Sequence, residues 1–240
     1  MLQKIDLQNV LFLDIETVPE EIDFSNLSDT KKDLFAKKTD YQRKADNVPA
    51  DKFYHRAGIW AEFGKIICIS VGFFTKEENQ QKFRITSFFG EEKDLLNKFK
   101  GLLNTYFNNV QHLLCAHNGK EFDFPYIARR MIIHGIDLPE KLNLFGKKPW
   151  EIPHLDTMEL WKFGDYKHFS SLQLLTTILG IPSPKDDIDG SMVADIYYKE
   201  KDLERIVKYC EKDTIAVAQL LLRYQNKPIL SEEDIVFVEK

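Results

Sequence analysis

Four acidic residues stand where apolar or aromatic neighbours make a charge costly. Asp14 and Glu16 fall in Val10-Leu11-Phe12-Leu13-Asp14-Ile15-Glu16-Thr17. Asp123 falls in Asn118-Gly119-Lys120-Glu121-Phe122-Asp123-Phe124-Pro125, and Asp213 in Tyr209-Cys210-Glu211-Lys212-Asp213. A buried carboxylate is unfavourable unless it is paired or binds a metal. Four that converged would repel one another, and a divalent cation with oxygen ligands is the natural reason for them to coexist. Each residue also has a plainer reading by itself. Asp-x-Glu can be a charged strand end facing water. Asp123 can be a helix N-cap. Asp213 can be solvated while Tyr209 packs in the core, Asn118 can be a turn residue, and Phe122 ordinary core.

Strand alternation puts Asp14 and Glu16 on one face with Val10 and Phe12, and Leu11, Leu13 and Ile15 on the other. The run 9–16 therefore reads as a buried strand that ends in two side-by-side carboxylates. Residues 63–74 and 82–89 read as a hairpin. Leu95, Leu96, Phe99, Leu102, Leu103 and Phe107 give 91–109 a helical spacing. Residues 111–116 read as a short buried strand. A helix is expected over about 124–134, with Pro125 in its first turn and Gly135 at its end. Asp123 thus sits between a strand and a helix. Another short strand is expected at 150–155. Asp156-Thr157-Met158-Glu159 and Ser170-Ser171-Leu172-Gln173 both have capping-box form. That cap explains Asp156, which is not a candidate ligand. The last helix, about 202–224, aligns Asp213 with Ile206, Cys210 and Val217, so Asp213 points toward the protein body. Tyr209, four residues earlier, shares a face with it. Strands first, then helices alternating with short strands, predict a mixed α/β sheet in a single domain over 1–240. Within it, residues 20–60 are a charged insertion with few core signals.

Asp-x-Glu on a strand, Asn-x-x-x-Phe-Asp-x-Pro, and Tyr-x-x-x-Asp on a late helix occur in that order. Together they resemble the DEDD superfamily of 3′–5′ exonucleases, in its Tyr subgroup, over roughly residues 9–224. Leu13–Thr17 and Asn118–Pro125 look most like the proofreading exonuclease domain of family B DNA polymerases. With no polymerase domain in the sequence, the chain is similar to the stand-alone predicted exonucleases related to that domain. The resemblance implies an RNase H-like mixed β-sheet flanked by helices. It implies that Asp14, Glu16, Asp123 and Asp213 hold two Mg²⁺ or Mn²⁺ ions, hard cations suited to oxygen ligands. One ion would activate a water and the other would stabilise the leaving 3′ oxygen in an in-line displacement at phosphorus. Tyr209 would orient the attacking water, since a phenol with a pKa of about 10 is a poor base. Thr17, with Glu16, would lie near the terminal nucleotide, and Asn118 and Phe122 near the last bases. Two features depart from the pattern. The 20–60 connection is longer than is usual in the family. Lys185-Asp186-Asp187-Ile188-Asp189-Gly190-Ser191 resembles a loop of the stand-alone exonucleases that approaches substrate; a plain exposed loop fits equally well.

The chain of 240 residues is 43% hydrophobic and 30% charged, enough apolar material for a sizeable core. No run approaches the roughly 18 apolar residues of a membrane span, and the start of the chain lacks a signal core. Three widely spaced cysteines suggest neither disulfides nor a zinc site, so a reducing cytoplasm is expected. A net charge of −5 argues against a protein that coats nucleic acid by bulk charge. Between residues 31 and 58, however, eight Lys/Arg face four Asp, a local excess that could grip backbone phosphate. A metal-dependent 3′–5′ exonuclease acting on DNA, single-stranded at its 3′ end and releasing nucleoside monophosphates, is the expected activity. An exoribonuclease of the same superfamily and a non-catalytic module that holds nucleic-acid ends are the alternatives. The oligomeric state is not legible.

Overall fold

The computed structural model describes residues 2–45, 47–77, 80–165, 169–182 and 188–238. The apolar run Val10–Leu13 is fully buried on both faces, as a strand covered by helices on each side must be. It opens β1 (Val10–Pro19). The expected hairpin forms from β2 (Gly64–Glu77) and β3 (Gln80–Phe89), paired antiparallel, and β2 also runs antiparallel to β1. β4 (Leu113–Ala116) lies parallel on the other side of β1, and β5 (Leu155–Asp156) extends that edge. The opposite edge gains β6 (Ile235–Phe237), parallel to β3. The order is β5-β4-β1-β2-β3-β6.

Helices cover both faces, and side-chain alternation along β1 decides which. Leu11, Leu13 and Ile15 pack against α3 (Glu92–Tyr106) and α4 (Asp123–Ile133). Val10 and Phe12 pack against α8 (Leu203–Tyr224), whose Val217, Ala218 and Leu221 meet them. Asp14 and Glu16 continue the second set, so strand periodicity alone turns both carboxylates toward α8. The mixed sheet with helices on both sides is an α/β, RNase H-like arrangement. Among the described residues, no helix is long and apolar enough to cross a membrane.

Several expectations need correction. The strand expected at 150–155 shrinks to Leu155–Asp156, because Pro149–Glu151 turn as a 3₁₀ helix. Ser171, one residue later than the capping pattern suggested, caps α6 (Leu172–Ile178) by accepting from Leu174 N–H. The segment 20–60 has a core after all. It folds as α1 (Asp29–Lys44), α2 (Ala50–Phe53) and a 3₁₀ turn at Tyr54–Ile59. Phe35 is wholly buried there, with the rings of Tyr54 and Phe63 each 5.2 Å away. Its partners are scattered aromatics rather than a periodic stripe, so no helical pattern announces them. Ile188 onward re-enters the described residues, Ile188 buried and 189–191 exposed; Lys185, Asp186 and Asp187 lie outside them. A short helix, α7 (Val193–Asp195), continuing into a π turn at Ile196–Glu200, leads to α8.

Candidate active site

β1 brings the first two acids to the end of the sheet. Asp14 stands opposite Ser70 of β2 and Glu16 opposite Cys68, and the ladder shifts register between Glu16 and Thr17. Such irregularities re-aim side chains at sheet ends. From above, α8 lays Cys210, Asp213 and Thr214 against this end. The Cys210 thiol lies 3.3 Å from Asp14 Oδ2 and 3.4 Å from its backbone oxygen. Donor atoms of Asp14, Glu16 and Cys210 all fall within 4.8 Å of one another.

Asp123 arrives from the opposite face. It is the first residue of α4, whose cap position is Phe122. Its carboxylate accepts from its own N–H and from the backbone N–H of Ile15, between Asp14 and Glu16. The N-cap reading of Asp123 is therefore set aside: the group is spent on β1. The preceding turn is held by Asp156. Its two oxygens accept from Asn118 N–H at 3.0 Å, Lys120 N–H at 3.1 Å, Met158 N–H at 3.0 Å and Glu159 N–H at 3.1 Å. It caps α5 (Thr157–Lys162), as the pattern suggests, and also shapes the turn that aims Asp123. Glu159 is not reciprocating that cap; its carboxylate pairs with Lys120 Nζ at 2.6 Å. Gly119 is obligatory in this turn, since a Cβ there would sit 2.4 Å from that of Ala116.

The acids feel one another. Burial raises the Asp14 carboxyl well above the usual range, and Glu16, Asp213 and Asp123 push it further. Glu16 is raised in the same way, by burial first and then by Asp213, Cys68 and Asp123. Asp123 is pushed up to about 7, by burial and then by nearby Asp156, against the two backbone N–H groups it accepts from. Tyr209 donates to Asp213. Burial and the neighbouring acids Asp213, Glu16 and Asp14 keep its phenol protonated far above neutral pH. The Cys210 thiol is raised too, first by burial, so it stays S–H and donates to Asp14 rather than offering a thiolate. The donors left for a cation are carboxylate oxygens, which suit hard divalent ions such as Mg²⁺ or Mn²⁺ better than thiophilic ones.

This has a measurable consequence for stability. Unfolded carboxyls lose their protons near pH 4, whereas folded Asp123 keeps its proton to about 7. Between those values the folded state binds more protons, so the site's contribution to stability falls as pH rises. In EDTA, Asp123→Asn should lose less Tm between pH 5.5 and 7.5 than the parent protein. Parallel Tm profiles for the two proteins would contradict the raised affinity.

Beside Glu16 opens a cleft of about 590 Å³, lined also by Thr17, Phe122, Arg56 and Ser191. Thr17 hydrogen-bonds the hydroxyl of Tyr126, which donates onward to Gly58 O at 2.8 Å. The structure thus gathers Asp14, Glu16, Asp123, Tyr209 and Asp213 at one place, with Thr17 and Phe122 on the adjoining cleft. Asn118 is not among the cleft's lining residues; it adopts φ +63°, and its buried Oδ1 has no partner among the described residues. Two contributors escaped the sequence reading. Cys210 shares the line of Asp213 on α8, which was the available signal. Asp156 was legible as a cap but not as the residue that shapes the Asn118–Lys120 turn.

Comparison with known proteins accords with this geometry. A family model described as a predicted 3′–5′ exonuclease related to the exonuclease domain of PolB matches residues 59–234. Asp123, Tyr209 and Asp213 fall inside the match, and Asp14, Glu16 and most of the insertion precede it. A DNA polymerase of Pyrococcus glycovorans is 23% identical over 142 residues, covering 54% of this chain and 18% of that polymerase. The chain therefore corresponds to a minor part of that relative's length. Because the family match takes in well over half of the residues, the chain belongs to the predicted 3′–5′ exonucleases related to the exonuclease domain of PolB.

Proposed function

We propose that the protein is a metal-dependent 3′–5′ exonuclease that removes nucleoside monophosphates from single-stranded DNA ends. The observation that carries this reading is the meeting of Asp14, Glu16, Asp123 and Asp213, with the carboxyls of Asp14 and Glu16 raised by burial and by the neighbouring acids, and that of Asp123 by burial and Asp156. These four would hold two Mg²⁺ or Mn²⁺ ions, which supply charge neutralisation and water activation at the phosphoryl centre. The chain's own residues do the rest. Tyr209, a neutral phenol tethered to Asp213, orients the attacking water and takes no proton from it. Thr17 and Phe122, at the mouth of the cleft beside Glu16, receive the terminal nucleotide; an aromatic face suits a base of any sequence. Asn118 acts through its turn, near the last bases. DNA is preferred over RNA on the strength of the polymerase relative. A module that merely holds ends has no use for four mutually repelling acids and a tyrosine on one of them.

With Mg²⁺ or Mn²⁺ the protein should shorten 5′-labelled single-stranded DNA stepwise, and EDTA should stop it. Matched RNA should be cut more slowly; faster cutting of RNA would reverse the substrate assignment. Tyr209→Phe should lower kcat about 10–100-fold with little change in KM, as expected when only orientation of a reactant is lost. An unchanged kcat would remove Tyr209 from the mechanism.

A further inference from the structure

The cleft beside Glu16 is built from three sources. One wall comes from β1 and from Phe122; a second carries His55 and Arg56, residues of the 20–60 insertion that precede the family match; Gly190, Ser191 and Ala194 line the rest. The two ends differ in charge. Glu16 adjoins the acidic cluster, whereas Arg56 and His55 are exposed and basic. Among the described residues, Arg56 makes no ion pair. Its guanidinium lies over the Phe53 ring, 5.4 Å from the centroid, and Phe53 is itself buried in the insertion's aromatic core. That stacking holds the group in place without neutralising it. His55 is fixed as well, its Nδ1–H donating to Lys52 O at 2.8 Å. A planar guanidinium, pre-positioned and unpaired on a cleft wall, suits bidentate contact with a phosphate.

We propose that Arg56 is a substrate-positioning residue: it binds a phosphate of the single strand lying in this cleft, while the scissile phosphate sits at the acidic end. This rests on the nuclease reading of the acidic site. The volume, about 590 Å³, lies in the range of a small-ligand site. It is large enough for an unpaired strand end. The phosphate is either an internucleotide phosphate or one on the terminal 3′ carbon, and the two are separable by experiment.

The test measures KM and kcat on 5′-labelled single-stranded DNA over a range of salt, with ends carrying 3′-hydroxyl or 3′-phosphate. Arg56→Ala should raise KM about tenfold, the loss of one charge-assisted contact, with kcat within twofold. The slope of log KM against log salt should fall by about 0.7, one phosphate on a single strand. Arg56→Lys should restore the slope but only part of the affinity, and Lys98→Ala, exposed on α3 and outside the cleft, should change neither. A KM effect on both ends assigns an internucleotide phosphate; an effect confined to 3′-phosphorylated ends assigns the terminal one. Unchanged KM and slope in Arg56→Ala, with an active parent enzyme, would overturn the proposal. Anisotropy of a labelled strand, measured with Asp213→Ala and with Asp213→Ala/Arg56→Ala, reads the same contact without turnover. It tests Arg56 even if the parent protein cleaves nothing, an outcome that would instead sink the nuclease reading.

Discussion

Asp213→Asn should reduce cleavage of single-stranded DNA by about 10³-fold or more, the scale of several kcal/mol of lost transition-state stabilisation. In EDTA the same substitution should leave Tm unchanged or higher. The two signs follow from one cause. Asp213 is among the charges that raise the proton affinity of both Asp14 and Glu16. Without a cation, removing it relieves repulsion between groups that burial already disfavours as anions. With a cation, the variant lacks a charged ligand, and its neutral amide oxygen tethers Tyr209 less strongly than the carboxylate does. Added Mg²⁺ should therefore raise the Tm of the parent protein, by binding the folded state alone, and raise that of Asp213→Asn much less. A residue serving only packing would lower Tm in EDTA and leave the metal response intact. Full activity in Asp213→Asn would remove it from the site.

The division between what the sequence announced and what it concealed has a physical basis. β1, α3, α4 and α8 were legible because each buries a regular stripe, and a stripe has a period. The faces were legible too: alternation along Val10–Glu16 turns both acids toward α8 before any contact is known. β5 and β6 have two and three residues; strands so short are defined by the neighbour they pair with, not by their own pattern. The insertion's core rests on Phe24, Phe35, Tyr54, Trp60 and Phe63, spread over helix, 3₁₀ turns and the loop before β2 at irregular spacing. The meeting of Asp14 with Asp213 is a contact across nearly the whole chain, which no local period encodes. Only the combined motif order pointed to it, and that was a resemblance rather than a derivation. Cys210 and Asp156 show the same limit from another side. Each was placed on the correct element, yet its partner, Asp14 in one case and the Asn118–Lys120 turn in the other, lies far away in sequence.

Arg130→Met should cost about 3–5 kcal/mol of stability, the usual penalty for removing one member of a buried ion pair, here the guanidinium that makes two of the contacts to Glu92. For a chain of this size that is a fall in Tm of about 6–20 °C. Arg130 on α4 is 4% exposed. Its Nε donates to Glu92 Oε1 at 2.8 Å, Nη2 to Glu92 Oε2 at 2.5 Å, and Nη1 to Ala61 O at 2.8 Å. Glu92 Oε1 also accepts Ile66 N–H at 2.7 Å, and Oε2 lies 2.6 Å from His134 Nε2. One fork thus ties α4, which begins with Asp123, to α3, to the start of β2 and to the chain leaving the insertion. Glu92→Gln should be milder, because an amide oxygen can still accept from Ile66 while the guanidinium loses its counter-charge. Arg130→Met combined with Glu92→Leu should recover part of the loss, since two apolar groups carry no desolvation cost. Recovery should stop short of the parent, because Ile66 N–H and Ala61 C=O stay buried without partners, at about 1–3 kcal/mol each. The single variants should also weaken strand binding more than the double, since an α4 loosened from α3 and from Ala61 shifts Phe122 at its other end and the insertion wall together. Calorimetry and strand anisotropy on the three variants decide the matter. A cost below about 1 kcal/mol for Arg130→Met would mean that water reaches Glu92 and that the fork is not what joins the cleft to the acids.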